Sequence, residues 1–120
     1  MWGVRNAPSI LYKLVWNGTY WMSTTENGWS NGKLLLYPDG TPGPDSEDVT
    51  KTEWESDELF VCSERIGSGS SRLSVLRYLD NTTSSTLKAT NEWNLTKDLP
   101  TVDSNLGFEA LTWIPDSYLV

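Results

Sequence analysis

The sequence predicts an all-β chain made of antiparallel sheet units, and three observations carry that expectation. Runs rich in branched and aromatic residues recur at roughly 8–12-residue spacing with turn chemistry between them. No stretch combines a helical apolar period with capping residues at its ends. An acidic motif also occurs twice, as Glu47-Asp48-Val49-Thr50 and Glu109-Ala110-Leu111-Thr112, 62 residues apart (109 − 47). Each copy is expected to run through a polar turn into a short apolar strand, Leu59-Phe60-Val61 in the first and Tyr118-Leu119-Val120 in the second. Self-similarity at such a period is the mark of stacked structural repeats.

Taken in order, Trp2-Gly3-Val4 reads as a short strand and Asn6–Ser9 as a turn, with Pro8 fixing the backbone. Residues 10–16, ILYKLVW, form the next strand. Asn17-Gly18 is a two-residue hairpin signal, which makes Thr19–Met22 the returning strand. Ser23–Asn31 is a loop around Trp29, and Lys33–Tyr37, KLLLY, a strand after Gly32. Residues 38–46, PDGTPGPDS, hold three prolines and two glycines, so neither helix nor central strand is expected there. Asp48–Thr52 and Glu58–Ser63 read as strands around the acidic turn Glu53–Asp57, and Gly67–Ser70 as a flexible connection. Arg72–Leu79 is strand-like, Asp80–Ser85 a turn, and Thr86–Asn94 a single outer strand.

A third correspondence supports the repeat. Trp2-Gly3-Val4-Arg5-Asn6 leading to Leu11–Leu14 resembles Phe60-Val61-Cys62-Ser63-Glu64 leading to Val75–Tyr78. The unit therefore runs glutamate strand, apolar strand, amphipathic strand, outer strand. Four antiparallel strands make one blade of a β-propeller. The chain is expected to hold about two blades in a single partial domain, with approximate units 1–46, 47–108 and 109–120. A propeller closes with about four to eight blades, so self-association to complete the ring is an expected kind of partnership.

Composition narrows the function. The formal net charge is −7, and phosphate backbones need a basic footprint, so nucleic acid and anionic membrane are disfavoured. No run of apolar residues is long enough to span a bilayer, and residues 1–9 show no charged segment followed by an apolar one, as a signal peptide would. The sequence has no histidine and a single cysteine, Cys62. That removes histidine-based nucleophilic catalysis and the usual zinc shell from this chain. Cys62 lies in an apolar run and is expected to be a buried strand residue. Acidic residues gather in Asp39–Glu58, where Lys51 alone opposes them. Such a run is either a solvated loop or a place where hard cations collect. Seven tryptophans and five tyrosines serve sheet packing first, with ligand stacking, as on a sugar-binding surface, the lesser alternative.

The runs WGVRNAPSILYKLVWNG, NGWSNGKLLLYPDG, PDSEDVT, FVCSER, EWNLTKDLP and NLGFEALTWIPDSYLV resemble the bacterial phytase-like, or "esterase-like activity of phytase", β-propeller family. The resemblance covers nearly the whole chain. It implies a secreted, extracellular or periplasmic setting, calcium association and phosphoesterase-related chemistry. Two departures stand out: Asp48 follows the first motif's glutamate where members usually carry glycine, and most of a propeller's length is absent.

With nitrogen and sulfur ligands removed, oxygen chemistry remains. Glu47 and Glu109 occupy equivalent places in successive units and would repel each other on a shared axis unless a cation lay between them. Calcium accepts carboxylate and carbonyl oxygens in flexible number, so it is the expected ion. Asp45 and Asp48 are further candidate ligands, and Asn105 offers an amide oxygen. A calcium-assisted phosphomonoesterase would use the metal to bridge phosphate oxygens and a carboxylate to activate water, with Arg5, Lys51 and Arg65 as phosphate contacts. In a purely structural role the glutamates would bond backbone amides and fix the register of neighbouring units. A carbohydrate- or protein-binding module without catalysis would instead use Trp16, Trp21, Trp29 and Trp54.

Overall fold

The computed structural model of the chain describes residues 1–66, 71–99 and 106–119. Among these residues it is all-β, with nine strands in two sheets and short 3-10 turns at Glu26–Gly28 and Asp116–Tyr118. The strands are β1 (Trp2–Arg5), β2 (Ile10–Trp16), β3 (Trp21–Ser23), β4 (Lys33–Leu36), β5 (Pro44–Lys51), β6 (Glu58–Ile66), β7 (Ser71–Leu79), β8 (Thr86–Lys88) and β9 (Asn91–Asn94). The first sheet has the order β1-β2-β4-β8, with β3 pairing off β2; the second is the antiparallel series β5-β6-β7-β9. Among the described residues neither sheet closes on itself. No helix among the described residues is long and apolar enough to cross a membrane.

The sheets face each other across one core. Leu11, Leu35, Tyr37, Leu87 and Ala89 come from the first sheet and its flanks, and Leu59, Val61, Leu76 and Tyr78 from the second. Leu59 and Val61 alternate on β6, as do Leu76 and Tyr78 on β7, because side chains two apart share a face. Phe60 points the other way and packs on Trp93 and Trp113, with ring centroids 5.9 and 6.1 Å away. Residues 106–113 thus cover the far face of the second sheet. This is why Val61, Cys62, Ser63 and Glu64 are all buried despite their alternation.

Two polar links brace the structure, Lys33 holding the β7–β8 connection to the first sheet and Tyr37 joining the first sheet to the second. The Lys33 ammonium, wholly buried, donates to the carbonyls of Asn27, Thr82 and Ser84 at 2.9, 2.8 and 2.5 Å. Its three protons therefore all find acceptors, and its charge lies over the Trp29 ring. Tyr37 donates to the Arg65 carbonyl at 3.2 Å, while the Arg72 guanidinium lies 3.6 Å over the Tyr37 ring.

The sequence expectations hold for most strands, including β2 at its stated bounds, and are corrected in four places. Asn17-Gly18 does not close a two-residue hairpin. Trp16 pairs with Trp21, because the Asn17 side chain accepts the amides of both Thr19 and Tyr20 at 2.9 Å and holds a four-residue loop. The strand expected at Asp48–Thr52 begins already at Pro44, through bulges that interrupt the regular ladder; it is an edge strand, so the expectation of no central strand in the proline-rich segment stands. Thr86–Asn94 is not one outer strand: Thr86–Lys88 leaves the second sheet to pair parallel with β4, and only Asn91–Asn94 returns to β7. The 118–119 stretch is no strand, since Asp116–Tyr118 forms a 3-10 turn with Tyr118 and Leu119 exposed; Val120 lies outside the described residues.

Candidate functional site: an acidic cluster at the bulged end of β5 and β6

β5 and β6 pair regularly from Lys51–Leu59 to Asp48–Cys62 and then lose register twice. Between Asp48 and Ser46 the extra residue is Glu47 on β5; between Ser46 and Pro44 the extra residue falls on β6, at Glu64-Arg65. Paired β-bulges bend a strand and re-aim its side chains. Here they turn Asp45, Glu47 and Glu64 toward one another, so that one carboxylate oxygen from each lies within 4.8 Å of the others. Asp45 and Glu64 are buried, and Glu47 is partly buried.

Arg65 is the resident counter-charge. Its Nε donates to Asp45 Oδ2 and stands 3.9 Å from Glu64 Oε1. Glu64 Oε2 also accepts the Gly107 amide at 3.1 Å. Burial is the main cause that pushes the Glu47 carboxyl above its ordinary range; the neighbouring Asp45, Glu64 and Glu109 charges add to it, and a hydrogen bond from Asn6 works against it. Beside the cluster, the β1–β2 turn, Pro42-Gly43, Asp45 and Arg65 enclose a cleft of about 370 Å³. The Ser9 and Ser46 hydroxyls, 2.6 Å apart and buried, fix that turn against β5.

The structure therefore brings together Asp45 and Glu47 of the expected ligands. Glu109 is exposed, near enough to raise Glu47 but outside the three-residue cluster. Asp48 faces away and accepts the amides of Val49 and Leu111 at 2.7 and 2.9 Å. That is the register-fixing role considered for the glutamates, performed by the aspartate next to one of them. Asn105 lies outside the described residues. Among the expected cations, Arg65 is at the cluster, Arg5 donates to the Pro8 carbonyl at 3.4 Å, and Lys51 pairs with Asp80 at 3.8 Å beside Trp2. Trp29 is buried and meets Trp2 edge-on at 5.3 Å, whereas Trp54 is 90% exposed. Burial pushes the Cys62 thiol up to about 11, so it carries no thiolate at neutral pH.

Glu64 is the member that sequence reasoning missed. A signal for it was present: matching Trp2–Asn6 to Phe60–Glu64 places Asn6 and Glu64 at equivalent positions, and both end beside Glu47. No family model matches the chain, and neither a curated protein nor a solved structure matches it.

Proposed function

We propose that this chain is a propeller-type sheet repeat whose acidic end binds calcium through Asp45, Glu47 and Glu64. One observation carries the reading: three carboxylates from two strands converge within 4.8 Å. Calcium takes oxygen ligands at about 2.3–2.6 Å, so opposed ligands stand about 4.6–5.2 Å apart, and the observed spacing fits one ion with little rearrangement. The donor set fits as well, being all carboxylate with no competing nitrogen or sulfur ligand. Arg65 supplies one positive charge to three negative ones, which leaves the electrostatic demand for a cation unmet. The phosphoesterase reading receives less support, since Arg65 is committed to Asp45 and neither Arg5 nor Lys51 joins it.

The test is calorimetric titration of the chain with calcium, together with thermal unfolding. Heat on titration is expected, with about 2.7 kcal/mol of added stability at a free calcium concentration 100-fold above Kd. Glu64→Gln should abolish both. Absence of heat from the unaltered chain rejects the site.

A second reading rests on Trp16 and Trp21, 54% and 48% exposed with ring centroids 5.7 Å apart on the β2–β3 hairpin. Such a pair offers an aromatic platform to a sugar ring. It predicts a saccharide-dependent tryptophan fluorescence change that calcium chelation leaves intact.

A further inference from the structure

The chain contains three Asn-Gly steps, Asn17-Gly18, Asn27-Gly28 and Asn31-Gly32. Glycine after asparagine leaves the next backbone nitrogen unshielded by any Cβ, so that nitrogen can approach the asparagine's own side-chain carbon. Closing that ring makes three demands on the fold. The glycine nitrogen must be free of a hydrogen bond, the asparagine carbonyl must be free to turn, and the charge that develops on Oδ1 must be held.

Two of the steps are locked. Gly32 donates its N–H to the Trp29 carbonyl at 2.9 Å, and a Cβ there would stand 2.5 Å from Ile10 Cγ2 and 2.7 Å from the Leu11 carbonyl oxygen. Asn27 sits at φ 49°, and its carbonyl accepts the Lys33 ammonium at 2.9 Å. Turning that carbonyl would take an acceptor from a wholly buried charge.

Asn17 meets all three demands. It is exposed on the loop joining β2 to β3, and among the described residues neither the Gly18 N–H nor the Asn17 carbonyl has a hydrogen-bond partner. A Cβ added at Gly18 would meet nothing within 4 Å, so no neighbour covers the nitrogen's approach. Asn17 Oδ1 accepts the Thr19 and Tyr20 amides, both at 2.9 Å. Two N–H donors on one oxygen at that distance satisfy the geometric condition for an oxyanion hole, about 2.7–3.1 Å. The other end of the amide, Nδ2, donates only to Met22 Sδ at 3.6 Å, a weak acceptor.

We propose that Asn17 is a self-modification site, at which the Asn17-Gly18 step cyclises and opens to an acid while the other two steps stay intact. The Gly18 nitrogen gives its proton to solvent base and attacks Asn17 Cγ, with the Thr19 and Tyr20 amides holding the oxyanion. The Cγ–Nδ2 bond then breaks, and the nitrogen leaves as ammonia after taking a proton from water. Water opens the cyclic imide at either carbonyl, leaving an aspartyl or isoaspartyl residue. The sum is amide plus water giving acid plus ammonia, with no oxidant or reductant. The change places a new negative charge next to the paired Trp16 and Trp21, and the isoaspartyl product also lengthens the loop by one main-chain carbon. The inference rests on neither functional reading above.

The experiment holds the full chain at mildly alkaline pH, folded in one sample and unfolded in urea in another. Peptide mass mapping follows the three steps, and enzymatic methylation reports isoaspartate. In the folded chain Asn17 is expected to convert at least as fast as it does in urea. Asn27 and Asn31 should be slower by about tenfold or more, the factor that losing one hydrogen bond to a charged group puts on a barrier. In urea the three should convert together. Asn17→Gln, which enlarges the ring to be closed, should remove the acidic species that ion exchange resolves from the aged folded chain. Slower conversion of Asn17 folded than unfolded overturns the proposal, because the loop would then protect the amide. Equal rates at the three steps in the folded chain overturn it as well, as does an acidic species that persists undiminished in Asn17→Gln.

Discussion

Glu47 and Glu92 are partly buried carboxyls that shift in opposite directions from the same ordinary value of 4.5. Glu47 is raised, chiefly by burial and then by Asp45, so at pH values between the unfolded and folded pKa the folded chain holds a proton that the unfolded chain has released. Its contribution to stability is present below the unfolded value and is lost as pH rises through the folded one. Glu92 is lowered, chiefly by Arg72, which grips it through Nε and Nη2 at 2.8 and 2.6 Å, while Ser74 donates at 2.7 Å. Its contribution is present above the unfolded value and is lost as pH falls through the folded one. In calcium-free urea denaturation across the acidic to neutral range, Glu47→Gln should remove a loss of stability on raising pH. Glu92→Gln should cost about 1–3 kcal/mol at neutral pH, as for hydrogen bonds to charged groups, and the difference should shrink in acid. A Glu47→Gln profile parallel to that of the unaltered chain would contradict the environment assigned to this side chain.

At the scale of elements, Gly107 decides how residues 106–113 sit on the second sheet. A Cβ at this position would stand 2.5 Å from Glu64 Cβ and 2.6 Å from Leu73 Cδ2, which no small shift of a side-chain tip relieves. Gly107→Ala is expected to lift the segment off β6, unstack Trp113 from Phe60 and make residues 106–113 protease-sensitive, while the β5–β7 strands keep their far-ultraviolet signal. Unchanged proteolysis would show that the segment docks without this contact. The strands were legible because branched and aromatic residues alternate with polar ones on β2, β6 and β7. The β8 crossover was not, since residues 86–94 read evenly as a strand. What divides them is distant: pairing of Leu87 with Leu35, and the Lys33 ammonium drawing in the Thr82 and Ser84 carbonyls. The site was half legible for a similar reason. Asp45 and Glu47, two apart in an acidic run, announce a shared face, whereas Glu64 joins them only through a bulge on another strand, which no local pattern encodes.

At the scale of the whole molecule, the two sheets share one apolar core and exchange a strand, so neither can lose its packing alone. Leu87 sits at one crossing point of this coupling. It lies on β8, which follows β7 of the second sheet in the chain but is paired to β4 of the first, and it is buried among residues of both sheets. Leu87→Ala removes a fully enclosed side chain, for which the loss is about 2–5 kcal/mol depending on how far the cavity collapses. Because the core is shared, that loss should appear in every probe at once. Tryptophan fluorescence, which follows Trp29 beside Trp2 in the first sheet and Trp93 beside Phe60 in the second, should shift its midpoint together with far-ultraviolet dichroism, as a single cooperative transition requires. Separate transitions, one retained and one lowered, would mean that each sheet holds together by itself. The Arg72–Tyr37 contact would then join two independently stable sheets rather than brace a common core.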